Sequence, residues 1–187
     1  MEELYNTISE TIYLSENCKQ KLAEVWTPLT VKKGTTFFRE EHICQYMYFV
    51  VKGVVNSYYF KNDTKVCEWF RFENDFFTSA ESFLGQINAT NNFEALEDTE
   101  LLLIHYDDYQ SHYIEFPELE LFGRTIAEKY YVKNMTRLKY FQFQSVEEKY
   151  NLLLKSEPEL LNRVSLRDIA SYLGITQESL SRIRAKK

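Results

Sequence analysis

The sequence predicts an α+β chain with a helical start, a β-rich middle and an all-helical end. The spacing of apolar residues changes period twice along the 187 residues. Leu4, Ile8 and Ile12 recur at helical intervals near the start. From Leu29 the apolar residues are Val, Tyr, Phe and Thr in short alternating runs, as strands require. From Pro117 the helical period returns. With 14 Tyr and 14 Phe, the chain has enough bulk for a substantial core or pocket.

The first helical stretch runs to about residue 27. A second helix begins at Leu14-Ser15, carries Leu22, Val25 and Trp26, and ends at Pro28. The segments LTVKKGTTFFRE, QYMYFVVKGVVNSYYF and TKVCEWFRF read as strands, punctuated by Gly34 and Gly53. Lys61-Asn62-Asp63-Thr64 has the composition of a hairpin turn. Thr99 to His105 is a further strand after the polar turn Glu97-Asp98. Short strands at this spacing suggest a small antiparallel barrel or sandwich.

Tyr106 to Ser111 reads as a short polar helix. Pro117 opens a long one, with Glu118 and Glu120 where the helix dipole favours acids. Leu119, Phe122, Ile126 and Tyr130 form its apolar stripe, continued by Leu138 and Phe141. It could run about 25 residues, or roughly 37 Å. That is more apolar surface than one small β domain covers, so a second copy is expected on the remainder. Gln142 to Ser145 then reads as a hinge. Ser145 and Glu148 form a capping box, Val146, Tyr150 and Leu153 or Leu154 an inner face, and Glu157-Pro158 a break.

The last stretch, SLRDIASYLGITQESLSRIRAKK, reads as two short helices around a tight turn. Leu166, Ile169, Ala170 and Leu173 share one face, with Ser165 as cap and Asp168 three residues on. Gly174 suits the left-handed stop, and Thr176 caps the next helix. Val164 with Ile169, and Ile175 with Leu180, are placed as hydrophobic staples. Leu180 and Ile183 turn inward, whereas Glu178, Ser181, Arg182 and Ala185 face out. From Asn162 on, the bases are Arg163, Arg167, Arg182, Arg184, Lys186 and Lys187, against only Asp168 and Glu178. The whole chain carries net charge −6, so this basic end is a local signal of the kind a helix-turn-helix presents to DNA. A helical hairpin with an ordinary solvated face is the plainer alternative.

Other classes are excluded or disfavoured. No signal-peptide pattern and no apolar run near ~18–20 residues is present, so no membrane association is expected. Cys18, Cys44 and Cys67 lie far apart, fit no zinc or iron–sulfur spacing, and suit a reduced cytoplasmic protein. His42, His105 and His112 lack metal-ligand or nucleophile partners in sequence. No enzyme motif and no cofactor site is expected.

The order helix, β domain, long helix, helix-turn-helix resembles the Crp/Fnr family of transcription regulators. KKGTTFFREEHICQYMYFVVKGVV and FEALEDTELLLI are similar to that family's cyclic-nucleotide-binding-type β-roll, and LRDIASYLGITQESLSRI to its helix-turn-helix. The resemblance implies a jelly-roll-like sensor domain over 1–115, a long dimerisation helix and hinge over 116–143, and a DNA-binding domain over 144–187. It implies a homodimer seam along Leu119, Phe122, Ile126 and Tyr130. Double-stranded DNA, a second copy and RNA polymerase are the partners it brings.

In cyclic-AMP-binding members, a Gly-Glu pair and an Arg-Ser pair hold the nucleotide. Here the corresponding cassette is FFTSAESFLGQINATNNFEAL, with Thr78-Ser79 and Ala89-Thr90 at those places. No arginine or lysine occurs from Phe72 to Leu103. A buried phosphodiester without a cation is poorly compensated, so cyclic AMP is not expected as effector. Thr78, Ser79, Thr90 and Asn91 could hold another polar ligand or be plain loop residues. Trp69, Phe70, Phe72, Phe76 and Phe77 could line an apolar pocket or simply pack. The effector stays open.

Carried over by position, the family's base-reading residues are Gln177, Glu178 and Arg182. Gln177 stands where arginine is frequent, which implies a different operator. Glu178 can accept from cytosine, and Arg182 can fork onto guanine. Thr176 and Ser181 suit phosphates, and Arg184, Lys186 and Lys187 add salt-sensitive attraction. Glu178 and Arg182 could instead form only an intrahelical ion pair. The connection between these helices is too short for the family's β-hairpin wing, and the chain ends almost with the second helix. That supports the competing expectation, a ligand-sensing or protein-interaction module that does not bind DNA.

Overall fold

The computed structural model describes residues 1–185, and all their side chains except those of Tyr140, Phe141 and Ser156. Two four-stranded antiparallel sheets face each other. The first has the order β1 (Thr27–Val31), β8 (Thr99–His105), β3 (Tyr46–Lys52), β6 (Phe76–Phe77). The second has β2 (Thr36–Phe38), β7 (Asn92–Ala95), β4 (Val55–Lys61), β5 (Thr64–Arg71). Between them lie Tyr48, Val50, Val55, Phe77, Phe93 and Leu101. This is the antiparallel β-roll of an α+β chain, as expected.

Alternation sorts the two faces. In β3, Tyr48 and Val50 point into the roll while Phe49 points out. The outward set is covered by α1 (Glu2–Ser9), α2 (Glu16–Val25), and the start of α5 (Pro117–Phe143). Leu4, Ile8 and Ile12 of the first apolar face, and Leu22 and Trp26 assigned to the second helix, all sit in this layer. Trp26 follows α2 directly, and β1 begins one residue later, so Pro28 opens a strand rather than merely ending a helix.

The β4–β5 hairpin turns at Asn62 and Asp63, both at positive φ (48° and 59°), which fits the twist of a two-residue turn. Three elements were not expected: the two-residue β6, α3 (Ala80–Gly85) and the separate strand β7. They lie in the cassette, where no period is long enough to read. The polar helix extends further than expected, as α4 (Tyr106–Glu115).

The C-terminal helices form a third layer on the outer face of the second sheet. They are α6 (Val146–Ser156), α7 (Leu160–Arg163), α8 (Leu166–Leu173) and α9 (Gln177–Ala185). Tyr150, Leu153, Leu160, Val164, Ile169, Leu173 and Leu180 pack there with Cys67 and Phe70 of β5. The expected capping box of Ser145 and Glu148 is present.

Gly53 joins β3 to β4 at φ 103°, and a Cβ there would lie 2.8 Å from the Thr99 Cα. Both the backbone angle and the neighbouring strand demand glycine. Gly53→Ala is expected to lower the unfolding free energy by about 1–3 kcal/mol, read from urea denaturation.

Candidate nucleic-acid interface and interior cavity

The α8–α9 pair is built by its caps. The Ser165 hydroxyl accepts from the Asp168 amide (3.1 Å) and donates to that residue's carboxylate (2.6 Å). Gly174 ends α8 at φ 70°, and the Ile175 amide returns to the Ala170 carbonyl. The Thr176 hydroxyl accepts from the Ser179 amide (3.2 Å), capping α9. Leu180 is fully buried, whereas Thr176, Gln177, Glu178, Ser181, Arg182 and Arg184 are exposed on one side. Glu178 is held below the ordinary carboxylate range, chiefly by its own backbone amide, then by the Thr176 hydroxyl and, least, by Arg182. Among the described residues Glu178 and Arg182 form no ion pair, and both side chains are exposed. Lys186 and Lys187 lie outside the described residues.

This pair is docked on the roll. β5 is an edge strand, and α8 lies along it. The Ser171 hydroxyl accepts from the Cys67 amide (3.0 Å) and donates to the Lys65 carbonyl (3.0 Å), standing in for a neighbouring strand. The Tyr172 ring packs on Phe70, with centroids 5.5 Å apart.

Arg163 was counted among the bases of the DNA-facing end; the structure turns it inward. It forks onto Glu73 with two 2.7 Å hydrogen bonds and onto Glu97 at 3.1 and 2.8 Å, and reaches Glu159 at 3.2 Å. Glu73 also accepts from the Gly53 amide (2.8 Å). The Arg163 hydrogen bonds are the main cause holding the Glu73 carboxyl at about 2. The same fork pushes the Arg163 guanidinium above its ordinary value.

The long helix also departs from expectation. Leu119 and Phe122 are buried against the chain's own roll, with Ile126 packed beside them. The Tyr130 hydroxyl donates to the Phe76 carbonyl (2.8 Å). These four residues therefore face inward and are not a free seam. On the opposite side of α5 the apolar side chains Leu121, Val132, Met135 and Leu138 are exposed, with Phe143 exposed at its end and Tyr131 exposed at the rim of the roll cavity. The side chain of Phe141 lies outside the described set.

A cavity of about 540 Å³ opens between the inner face of the second sheet, α3 and α5. Of the residues singled out in the sequence for a pocket, Trp69, Phe76, Phe77, Thr78, Ser79, Thr90 and Asn91 line it. Phe72 does not; it packs with the C-terminal layer, under the Arg163 guanidinium at 5.5 Å.

Two charged residues that β5 gives to the cavity escaped the sequence reading, Glu68 and Arg71. β5 carries a bulge: Ser57 pairs with Trp69 and Tyr58 with Cys67, leaving Glu68 as the extra residue. Cys67 and Phe70 face out, and Glu68, Trp69 and Arg71 face the cavity. Simple alternation would have set Glu68 opposite Trp69, and nothing in TKVCEWFRF marks the bulge. Arg71 stands one place before the stretch empty of bases, so the cavity wall has a cation after all.

Residues 28–113 match the family model of the cyclic nucleotide-binding domain. No protein of curated function matches the chain in sequence. Among solved structures, FixK2 from Bradyrhizobium japonicum superposes with TM-score 0.69 at 22% identity, over 87% of this chain and 84% of that one. The c-di-GMP responsive global regulator CLP from Xanthomonas campestris gives 0.71 at 17%, over 92% and 91%. A protein from Eubacterium rectale assigned to the Crp/Fnr family of transcriptional regulators gives 0.71 at 18%, over 91% and 82%. The roll thus resembles a cyclic nucleotide-binding domain, and the chain shares the fold of these solved regulators. No described helix is long and apolar enough to cross a membrane.

The Arg163 fork makes the docked arrangement acid-sensitive. A carboxyl lowered from 4.5 to about 2 contributes its full stability above pH 4.5 and loses it as pH falls through 2. Arg163→Met should flatten the decline of stability between those values in urea titrations.

Proposed function

We propose that the protein is a sequence-specific, DNA-binding transcription regulator of Crp/Fnr type, acting as a cytoplasmic homodimer on a near-palindromic operator. The observation that carries this is the α8–Gly174–α9 unit. Its apolar face is buried, and its exposed face presents Gln177, Glu178, Ser181 and Arg182 along α9. The second helix of such a unit enters the major groove with its N-terminal half leading. Gln177, Glu178 and Arg182 are its base readers. Thr176, Ser181, Arg184, Lys186 and Lys187 serve the phosphates.

The working units are the sensor roll over 1–115, the helix over 116–143 and the DNA-binding unit over 144–187. The dimer seam is the outer side of α5, at Leu121, Val132, Met135 and Leu138. An exposed apolar stripe on a helix of 27 residues is otherwise left in water. Cyclic AMP is not the effector: from Phe72 to Leu103 the chain supplies no cation, and Arg71 on the cavity wall already lies over the Trp69 and Tyr130 rings and donates to the Phe70 carbonyl.

Selection from a random duplex library should return a palindromic consensus with the wild type. Arg182→Ala should weaken binding to that consensus by ~1–3 kcal/mol and relax one symmetric pair of positions. Unchanged base preference in the variant would count directly against the assignment. Added cyclic AMP should leave the wild-type affinity unchanged.

For the seam, Val132→Glu combined with Leu138→Glu should shift sedimentation from dimer to monomer without lowering the melting temperature of the roll. Phe122→Ala should do the reverse, costing about 3–5 kcal/mol of stability and leaving the subunit count alone.

A further inference from the structure

We propose that the roll cavity takes an organic cation with an aromatic or apolar body, anchored by Glu68. This rests on the reading of the roll as the sensing half of the regulator.

The argument starts from the bulge in β5. The extra residue there is spent on turning one carboxylate into the cavity, beside Trp69. Bulges re-aim side chains at functional sites. The carboxylate is held from behind. Its Oε2 accepts from the Ser57 hydroxyl (2.7 Å) and from the Asn91 amide (2.9 Å). Asn91 is itself fastened by Ser57 (3.0 Å) and by the Ser79 hydroxyl (2.8 Å). Ser57 is fully buried, and Asn91 and Ser79 nearly so. Three buried side chains thus orient one carboxylate whose other oxygen, Oε1, has no partner among the described residues.

Three other charges lie on the cavity wall or close to it. Lys65, three residues away on β5, is paired with Glu94. Arg71 lies over the Trp69 ring (4.5 Å) and the Tyr130 ring (5.0 Å), donates to the Phe70 carbonyl (2.9 Å), and acts on the carboxyl of Asp75, while its buried Nε has no hydrogen-bond partner among the described residues. Glu81 is exposed at the start of α3. Glu68 is half-buried and forms no ion pair among the described residues. A desolvated, oriented carboxylate with a free oxygen is completed by a positive, N–H-bearing group. The walls beside it, Trp69, Phe77, Met47 and Leu84, suit an apolar or aromatic body. An anionic ligand would instead meet Glu68 on entering.

Benzamidine is the probe: a flat amidinium that can fork onto a carboxylate, carrying one aromatic ring. Benzamide has the same shape without charge, and benzoate reverses the charge. Isothermal titration and melting-temperature shift should show saturable binding of benzamidine to the full-length protein, at least tenfold tighter than benzamide or benzoate. Glu68→Gln should lose that preference while keeping the wild-type melting temperature without ligand. Absence of benzamidine binding, a preference for benzoate, or binding unaffected in Glu68→Gln each overturns the proposal. The duplex selection separates the two readings. A consensus without benzamidine binding leaves the regulator standing and removes the cationic effector. Glu68-dependent binding without any consensus keeps the ligand site and removes the DNA reading.

Discussion

The arrangement of the molecule hangs on one guanidinium. Arg163 stands at the end of α7 and grips Glu73, which follows β5, and Glu97, in the turn between β7 and β8. Glu73 in turn holds the Gly53 amide in the turn between β3 and β4. One side chain therefore ties three loops at one end of the roll to the helical layer. Single exposed ion pairs contribute little. This one differs because the fork is bidentate, the guanidinium is four-fifths removed from solvent, and several acceptors share it. The Ser171 bridge to the edge of β5 and the Phe70–Tyr172 contact add directionality, but neither places α7 over the loops.

Much of the architecture could be read from spacing alone, because long elements average over many residues. The Ser145–Glu148 capping box, the Ser165 cap, the Gly174 stop and the apolar faces with Leu4 and Ile8 and with Leu22 were visible for that reason. What stayed hidden depends on a single residue or on geometry between distant ones. The bulge at Glu68 has no local signature, yet it changes which side chains of β5 face the cavity. Arg163 looks in sequence like any other base near a DNA-facing helix; its three carboxylates lie at positions 73, 97 and 159. On α5 both sides carry apolar residues, so periodicity could not say which stripe the roll claims. The roll takes Leu119, Phe122, Ile126 and Tyr130, and leaves Leu121, Val132 and Leu138 outside.

β5 is the strand on which the separate parts meet. Its inner face gives Glu68, Trp69 and Arg71 to the cavity, and its outer face gives Cys67 and Phe70 to the helical layer. The long helix closes the other side of the same cavity with Ile126, Tyr130 and Tyr131, while Val132 sits at the proposed seam. The proposed ligand site, the proposed seam and the helix pair therefore all bear on β5 and α5. A ligand can shift such an assembly only by binding two arrangements with different affinity. Here the physical basis for that difference is short: moving Glu68 or Trp69 moves the backbone that carries Cys67, and Cys67 is bonded to Ser171 of α8. Packed layers do not deform continuously. A displacement at the bulge must therefore be taken up either by the Ser171 bridge or by the Arg163 fork. The bridge is the weaker of the two, being two neutral hydrogen bonds against a charged bidentate pair. The helix pair would accordingly pivot about Arg163 rather than leave the roll.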